Sequence, residues 1–216
     1  MQSKLLEAIG AFSGIYSGWI LWNLFLAFIP LALSFWLFRR QTNDRTTLWW
    51  LGWVVFIAFL PNAPYLLTDI IHLIRGIRAG YAIWIIALVF IPLHIAAIIG
   101  GFEAYVISLI NQGHYLKRQG QRRFVVWSEL AVHAVCAVGI YLGRFRRLNS
   151  WDLVTDPGNV LVITIDDLTA KLPLVVIFIT FAILTVFYWV MKQITLGLLL
   201  RFRYARQHKP IESDFD

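Results

Sequence analysis

Apolar residues in this chain come in long uninterrupted blocks, and the charged residues collect between the blocks. Neither the alternation of a half-buried strand nor the one-sided stripe of a surface helix describes them. Such blocks predict helices that cross a bilayer, because a hydrocarbon core of about 30 Å is spanned by about 20 residues rising 1.5 Å each. The first block runs from Tyr16 to Phe38 and is stopped by Arg39, Arg40 and Arg45. The second starts at Thr47 or Leu48 and reaches Leu60, where Pro61-Asn62-Ala63-Pro64 removes two backbone donors and interrupts the helix. That is short for a crossing. Either the helix continues past a kink to Thr68, or the chain unwinds near the far interface and Tyr65 to Leu73 forms a re-entrant or surface helix; the second alternative is favoured, and the span count stays open over residues 48–75.

The third block, Tyr81 to Ile110, is overlong and contains Pro92 and Gly100-Gly101, which predicts a tilted or bent helix. Phe124 to Gly143 forms the fourth span and Leu172 to Leu199 the fifth, separated by a connection that holds most of the acidic groups. The predicted fold class is therefore all-α: a polytopic transmembrane helical bundle of about five spans with a kinked or re-entrant segment at Pro61–Pro64. Its expected organisation is an N-terminal segment 1–15, a single transmembrane domain 16–199 and a charged tail 200–216. No period of about 20 to 50 residues marks a tandem repeat.

Composition strengthens this reading. Hydrophobic residues make up 59% of the 216 and charged residues only 14%, against about 25% in soluble domains. A net charge of +7 would raise the question of nucleic acid in a soluble protein, but here the positive charge sits between apolar blocks, as topology determinants and headgroup contacts do. Nucleic acid is not an expected partner; the lipid bilayer is, and protein partners and oligomeric state stay open. Cys136 is the one cysteine, so an internal disulfide and a cysteine metal cluster are excluded. A cleaved signal peptide is not expected, since the first long apolar run lacks a small-residue cleavage site.

Orientation follows from the Lys and Arg count in short connections. One side holds Arg39, Arg40, Arg45, Lys117, Arg118, Arg122, Arg123, Arg201, Arg203, Arg206 and Lys209; the other holds Lys4, Arg75, Arg78, Arg144, Arg146, Arg147 and Lys171. Lys192 falls inside the fifth span. The bias predicts a multi-pass protein of the plasma membrane with its N-terminus outside and its C-terminus in the cytoplasm.

Two polar segments fall on the outward side, and a site would need them to converge. In the first, Asp69 and His72 share a helical face, an arrangement suited to a general base or a ligand pair; a helix cap beside an interfacial histidine is the plainer alternative. In the second, Arg144, Arg146 and Arg147 can anchor on headgroups or bind a phosphate or carboxylate, and Asp152 can pair with one of them or serve a cap. Asn62, Tyr65, Asn149 and Trp151 are candidate ligand contacts, Asn149 or Ser150 being equally suited to a cap and Trp151 to the interface. Inside the membrane lie His94, Glu103, Glu129 and His133, each costly at depth unless paired or wetted. They are expected to serve as helix-to-helix hydrogen bonds or as a proton relay, and Glu129 and His133, four apart on one helix face, could hydrogen-bond, hold a metal with further ligands or relay protons. Asn23 and Pro30 read as a helix contact and a kink. No phosphate loop, dinucleotide fingerprint or zinc-protease motif occurs, so no metal is assignable and no cofactor can be argued.

Three strings carry a family resemblance: Trp22-Asn23-Leu24-Phe25-Leu26-Ala27-Phe28-Ile29-Pro30; Phe59-Leu60-Pro61-Asn62-Ala63-Pro64-Tyr65 with Thr68-Asp69 and His72-Leu73; and Gly139-Ile140-Tyr141-Leu142-Gly143-Arg144-Phe145 with Asn149-Ser150-Trp151-Asp152. They resemble the bacterial membrane family catalogued as domain of unknown function 1361, over about Trp22 to Leu199. The resemblance implies that the Pro-Asn-Ala-Pro-Tyr and Asn-Ser-Trp-Asp segments characterise the family, and it supplies no activity, substrate or cofactor. The leading expectation is a non-catalytic transport, sensing or assembly component. One alternative is a membrane enzyme acting at the outer leaflet on a lipid-linked or envelope substrate, with Asp69 and His72 as acid/base and Arg144 recognising an anion. The other is an ion or proton pathway through the intramembrane Glu and His residues.

Overall fold

The computed structural model describes Gly10 and residues 19–40 and 45–206, and every regular element among them is helical. Tyr16, Lys4, Lys209 and, apart from Gly10, the segment 1–15 lie outside the described residues, as does the tail after Arg206. Five helical stretches are long and apolar enough to cross a membrane: Ile20–Phe38, Thr47–Arg78, Ile83–Arg118, Arg122–Arg146 and Lys171–Arg206. The chain is a multi-pass membrane protein built as an all-α bundle.

Helix α1 (Trp19–Phe38) packs along the long helix of the third span, burying Ile20, Ala27, Ser34 and Leu37 on one side. Burial alone does not hold helices together in lipid, where the tails are as apolar as leucine, so polar contacts carry part of the adhesion. Ser34 Oγ accepts from Asn111 Nδ2 at 2.9 Å, and Asn111 Oδ1 accepts from Arg39 Nε at 2.6 Å. Helix α2 (Thr47–Phe59) begins at Thr46, whose side chain accepts from the Trp49 amide, and it lies against α1 through the Trp49 indole, which donates to the Leu37 carbonyl at 3.1 Å.

The segment after α2 corrects the favoured sequence expectation. The chain does not unwind at the two prolines; it stays right-handed helical through Leu60 and Pro61 into α3 (Asn62–Tyr65), a 3-10 turn (Leu66–Asp69) and α4 (Ile70–Arg78). Local hydrogen bonding explains the persistence. Pro64 lacks the N–H that would serve the Leu60 carbonyl, so the Ala63 amide turns to it at 3.2 Å. That move strips the Phe59 carbonyl of its helical partner, and Asn62 Nδ2 takes the place at 2.9 Å. The kinked segment then enters the bundle where neighbouring helices lack side chains: a Cβ at Gly139 would stand 2.8 Å from the Pro61 ring, and one at Gly101 would collide with Leu66.

The third span opens with α5 (Ile83–Ile85), widens into a π turn (Ile86–Phe90) and continues as α6 (Ile91–Arg118). The irregularity directly precedes Pro92, which has no amide to give the preceding turn. A 3-10 turn (Arg122–Phe124) leads into α7 (Val125–Tyr141), which ends in a second π turn (Leu142–Arg146). The acidic connection is itself helical: α8 (Asp152–Thr155) and α9 (Pro157–Thr169) precede α10 (Lys171–Arg206). Its sequence signal is Asp156-Pro157, a cap residue accepting from the Asn159 amide beside a proline at the first helical position. At 36 residues α10 is about 54 Å long, more than a bilayer core needs.

Candidate functional site

The beginning of α1, the end of α2, the kinked segment and the end of α7 surround one cavity of about 710 Å³. Ligand sites range from about 300 to 1,000 Å³. The three strings that carry the resemblance all reach its wall: Trp22 and Asn23 from the first; Pro61, Asn62, Tyr65, Asp69 and His72 from the second; Gly139, Leu142, Gly143, Asn149, Ser150 and Trp151 from the third. The cavity lies at the end of the bundle opposite the basic connections after α1 and α6, because α1 starts there while α2 and α7 finish there.

Its wall divides by depth. Deeper along the helices it is formed by Leu26, Trp53, Val54, Ile57, Val135 and Val138; at the mouth stand Asn62, Asp69, His72, Arg147, Asn149 and Ser150. Trp53 is six residues before the end of α2, about 9 Å further into the bilayer. Trp22, Val54 and Val135, all apolar, line the cavity and are exposed.

Each polar group at the mouth has a definite origin. Asp69 closes the 3-10 turn, makes no cap bond with its side chain, and is 2% exposed. Its Oδ2 accepts from Asn23 Nδ2 on α1 at 3.0 Å, which links two spans. Arg144 lies within electrostatic range of both Asp69 and His72. Asn62 Nδ2 donates to Ser150 Oγ at 2.9 Å, tying the kinked segment to the connection after α7, and Trp151 packs edge-on against Phe59. Gly143 permits the approach of Tyr65, whose ring would stand 3.2 Å from a Cβ there.

The three arginines after α7 have separate fates. Arg146 forks onto Asp167 of α9, with Nε donating at 2.9 Å and an Nη at 2.5 Å, and these bonds hold the Asp167 carboxyl below the usual carboxylate range. Arg147 lines the cavity and adopts the left-handed region at φ 58°, a conformation that costs a non-glycine residue on the order of 1 kcal/mol or more. That reversal turns the chain so that the Leu148 amide reaches back to the Leu142 carbonyl. Among the described residues no carboxylate forms an ion pair with Arg144 or Arg147. Asp152 accepts from the Asn149 amide at 2.6 Å and so shapes the turn; it does not pair with any of these arginines.

Of the residues singled out from sequence, Asn62, Tyr65, Asp69, His72, Asn149 and Trp151 come together on the cavity wall, while Arg144 and Asp152 stand outside it. Asn23, expected as a helix contact, makes one to Asp69 and also lines the cavity, and the wall from α2 and Val160 and Thr164 of α9 carry no such signal in the sequence. The signal for Asn23 is a polar residue near the beginning of an apolar span.

The intramembrane ionisable groups occupy a different place, between α6, α7 and α10. Glu129 Oε1 accepts from Lys192 Nζ at 2.5 Å and from the Tyr188 hydroxyl at 2.8 Å, rather than from His133. His133 Nδ1 and the Tyr105 hydroxyl share a hydrogen bond of 2.5 Å, and the His133 ring packs edge-on against Tyr188. Glu103 accepts from Thr195 Oγ1 at 2.7 Å. Tyr188, Lys192 and Thr195 therefore form one face of α10 aimed at the bundle. His94 lies elsewhere on α6, its Nδ1–H donating to the Phe90 carbonyl at the π turn. Among the described residues no group of three or more His, Cys, Asp and Glu side chains is placed to hold a metal.

No curated protein and no solved structure is significantly similar to the chain. Residues 22–186, from the first turn of α1 to the middle of α10, match the family described as Protein of unknown function (DUF1361), and the chain belongs to that family.

Proposed function

We propose that the protein is a non-catalytic component of the plasma membrane that captures an amphiphilic molecule from the outer leaflet in the cavity between α1, α2 and α7. The observation that carries this reading is the division of the wall, apolar along α2 and α7 and polar towards the end of the bundle, combined with the exposure of the apolar lining residues Trp22, Val54 and Val135. A molecule with a hydrocarbon tail enters such a cavity without passing through water. The outward placement rests on the excess of Lys and Arg at the opposite end of the bundle.

The polar groups between α6, α7 and α10 fit an adhesive role in this reading, because Glu103, Glu129 and His133 each have a partner on a neighbouring helix. A second reading, acid–base chemistry on the captured molecule, is favoured by the presence of Asp69 and His72 on the same wall. Asp69→Asn and His72→Ala separate the two: if the protein still accumulates and envelope lipids change in composition, the site is catalytic.

The capture reading is tested by the lipids that stay with the purified protein. Ala58 lines the cavity, and Ala58→Phe fills part of it. Mass spectrometry of gently solubilised protein is expected to find an amphiphile bound at about one per chain in the wild type and absent from the variant, both having the same thermal midpoint. Identical retained lipids in the two proteins overturn the reading.

A further inference from the structure

Resting on the capture reading, we infer that the cavity selects its ligand by an oxyanion, a phosphate or carboxylate at the polar end, held by Arg147 at the mouth. A tail moving from bilayer to cavity exchanges one apolar surrounding for another, so it supplies entry but little preference. Preference has to come from the headgroup end.

The wall carries one carboxylate and one guanidinium. Asp69 is the carboxylate on the wall, and its Oδ2 is already engaged by Asn23. Against it stand Arg147 on the wall and Arg144 within electrostatic range, neither in an ion pair with a carboxylate among the described residues. Arg146, the remaining member of the run, is occupied by Asp167 and so fixes the segment without offering a charge to the cavity. The left-handed turn at Arg147 points the same way: the backbone accepts strain at the one arginine on the cavity wall. A guanidinium presents a planar fork that suits phosphate and carboxylate oxygens, and Ser150 and Tyr65 stand nearby as neutral donors.

The test compares lipids with identical palmitoyl-oleoyl tails, phosphatidic acid, phosphatidylcholine and diacylglycerol, by native mass spectrometry of the full-length protein in detergent, with inorganic phosphate as a further arm. Arg147→Asn removes the charge while keeping a side chain that tolerates the left-handed region; Arg147→Lys keeps the charge. Wild type is expected to prefer phosphatidic acid over diacylglycerol by about tenfold or more, the range of a charge-assisted hydrogen bond. The preference is expected to fall to within about threefold in Arg147→Asn and to persist in Arg147→Lys. If all three lipids bind alike to the wild type and Ala58→Phe abolishes them together, the oxyanion assignment is overturned and the capture reading stands. If inorganic phosphate binds through Arg147 and no lipid does, the oxyanion assignment stands and the capture reading fails. Binding of neither overturns both.

Discussion

Lys192 sits in the last span with Glu129 as its partner, and their removal singly and together gives a sharp test of how α10 is held. Glu129 Oε1 receives two donors, Lys192 at 2.5 Å and Tyr188 at 2.8 Å, and the two charged side chains are only 23% and 11% exposed. In Lys192→Met the carboxylate keeps the tyrosine and loses its counter-charge. Breaking one side of a buried pair costs about 3–5 kcal/mol, and the partial exposure of this one places it near the lower bound, about 3 kcal/mol. Glu129→Gln is milder: the amide oxygen still accepts from Tyr188, and the freed lysine can snorkel toward the basic end of α10, so about 1–2 kcal/mol is expected. In the double variant no charge is left unpaired, and the cost is that of one ordinary hydrogen bond, about 1 kcal/mol. The two substitutions therefore couple by about 3 kcal/mol, with the double variant more stable than Lys192→Met alone. Reversible unfolding from mild detergent into sodium dodecyl sulfate, followed by tryptophan fluorescence, measures all four corners. Additivity within about 0.5 kcal/mol would refute the pairing as the fastener of α10.

Two further outcomes follow from contacts between elements. Gly139→Ala puts a Cβ 2.8 Å from the Cβ and Cγ of Pro61, a rigid ring, and is expected to cost about 1–3 kcal/mol, whereas Gly197→Ala meets nothing within 4 Å and leaves the thermal midpoint unchanged or slightly raised; equal shifts would remove the close approach as the reason for the glycine. Asp167 is held below its ordinary value by Arg146, so its contribution is present above the unfolded carboxyl value of about 3.9 and is lost as pH falls through the lower folded value. Amide protection across Pro157–Thr169 is thus expected to drop in acid in the wild type and to be low already at neutral pH in Asp167→Asn, and protection that ignores both changes would sink the clamp.

The spans were legible because lipid-facing helices announce themselves by composition: each of the five apolar helices begins or ends within a few residues of where the blocks and arginines place it. The kinked segment was not, because the sequence shows two missing amides but not the side chain that replaces one of them. Asn62 capping the Phe59 carbonyl, and the glycines opposite Pro61 and Leu66, decide between a continuing helix and an unwound one, and those are contacts across the chain. The same limit applies to chemistry. Glu129 and His133 share a helix face and invite pairing with each other, yet each finds a partner on another helix, Lys192 and Tyr105, since two residues on one face both point at the neighbour.

The cavity joins these levels. Proline kink, small-residue faces and the reversal at Arg147 are local irregularities, each unfavourable in an isolated helix, and all three lie on one wall. In a protein that only filled the membrane, straight helices with β-branched and leucine faces would pack with less strain. These irregularities border a space of about 710 Å³, whereas the π turn Ile86–Phe90 of the third span stands apart from it and goes with Pro92. The second π turn lies at the cavity end of α7, while α10 runs 36 residues as unbroken helix.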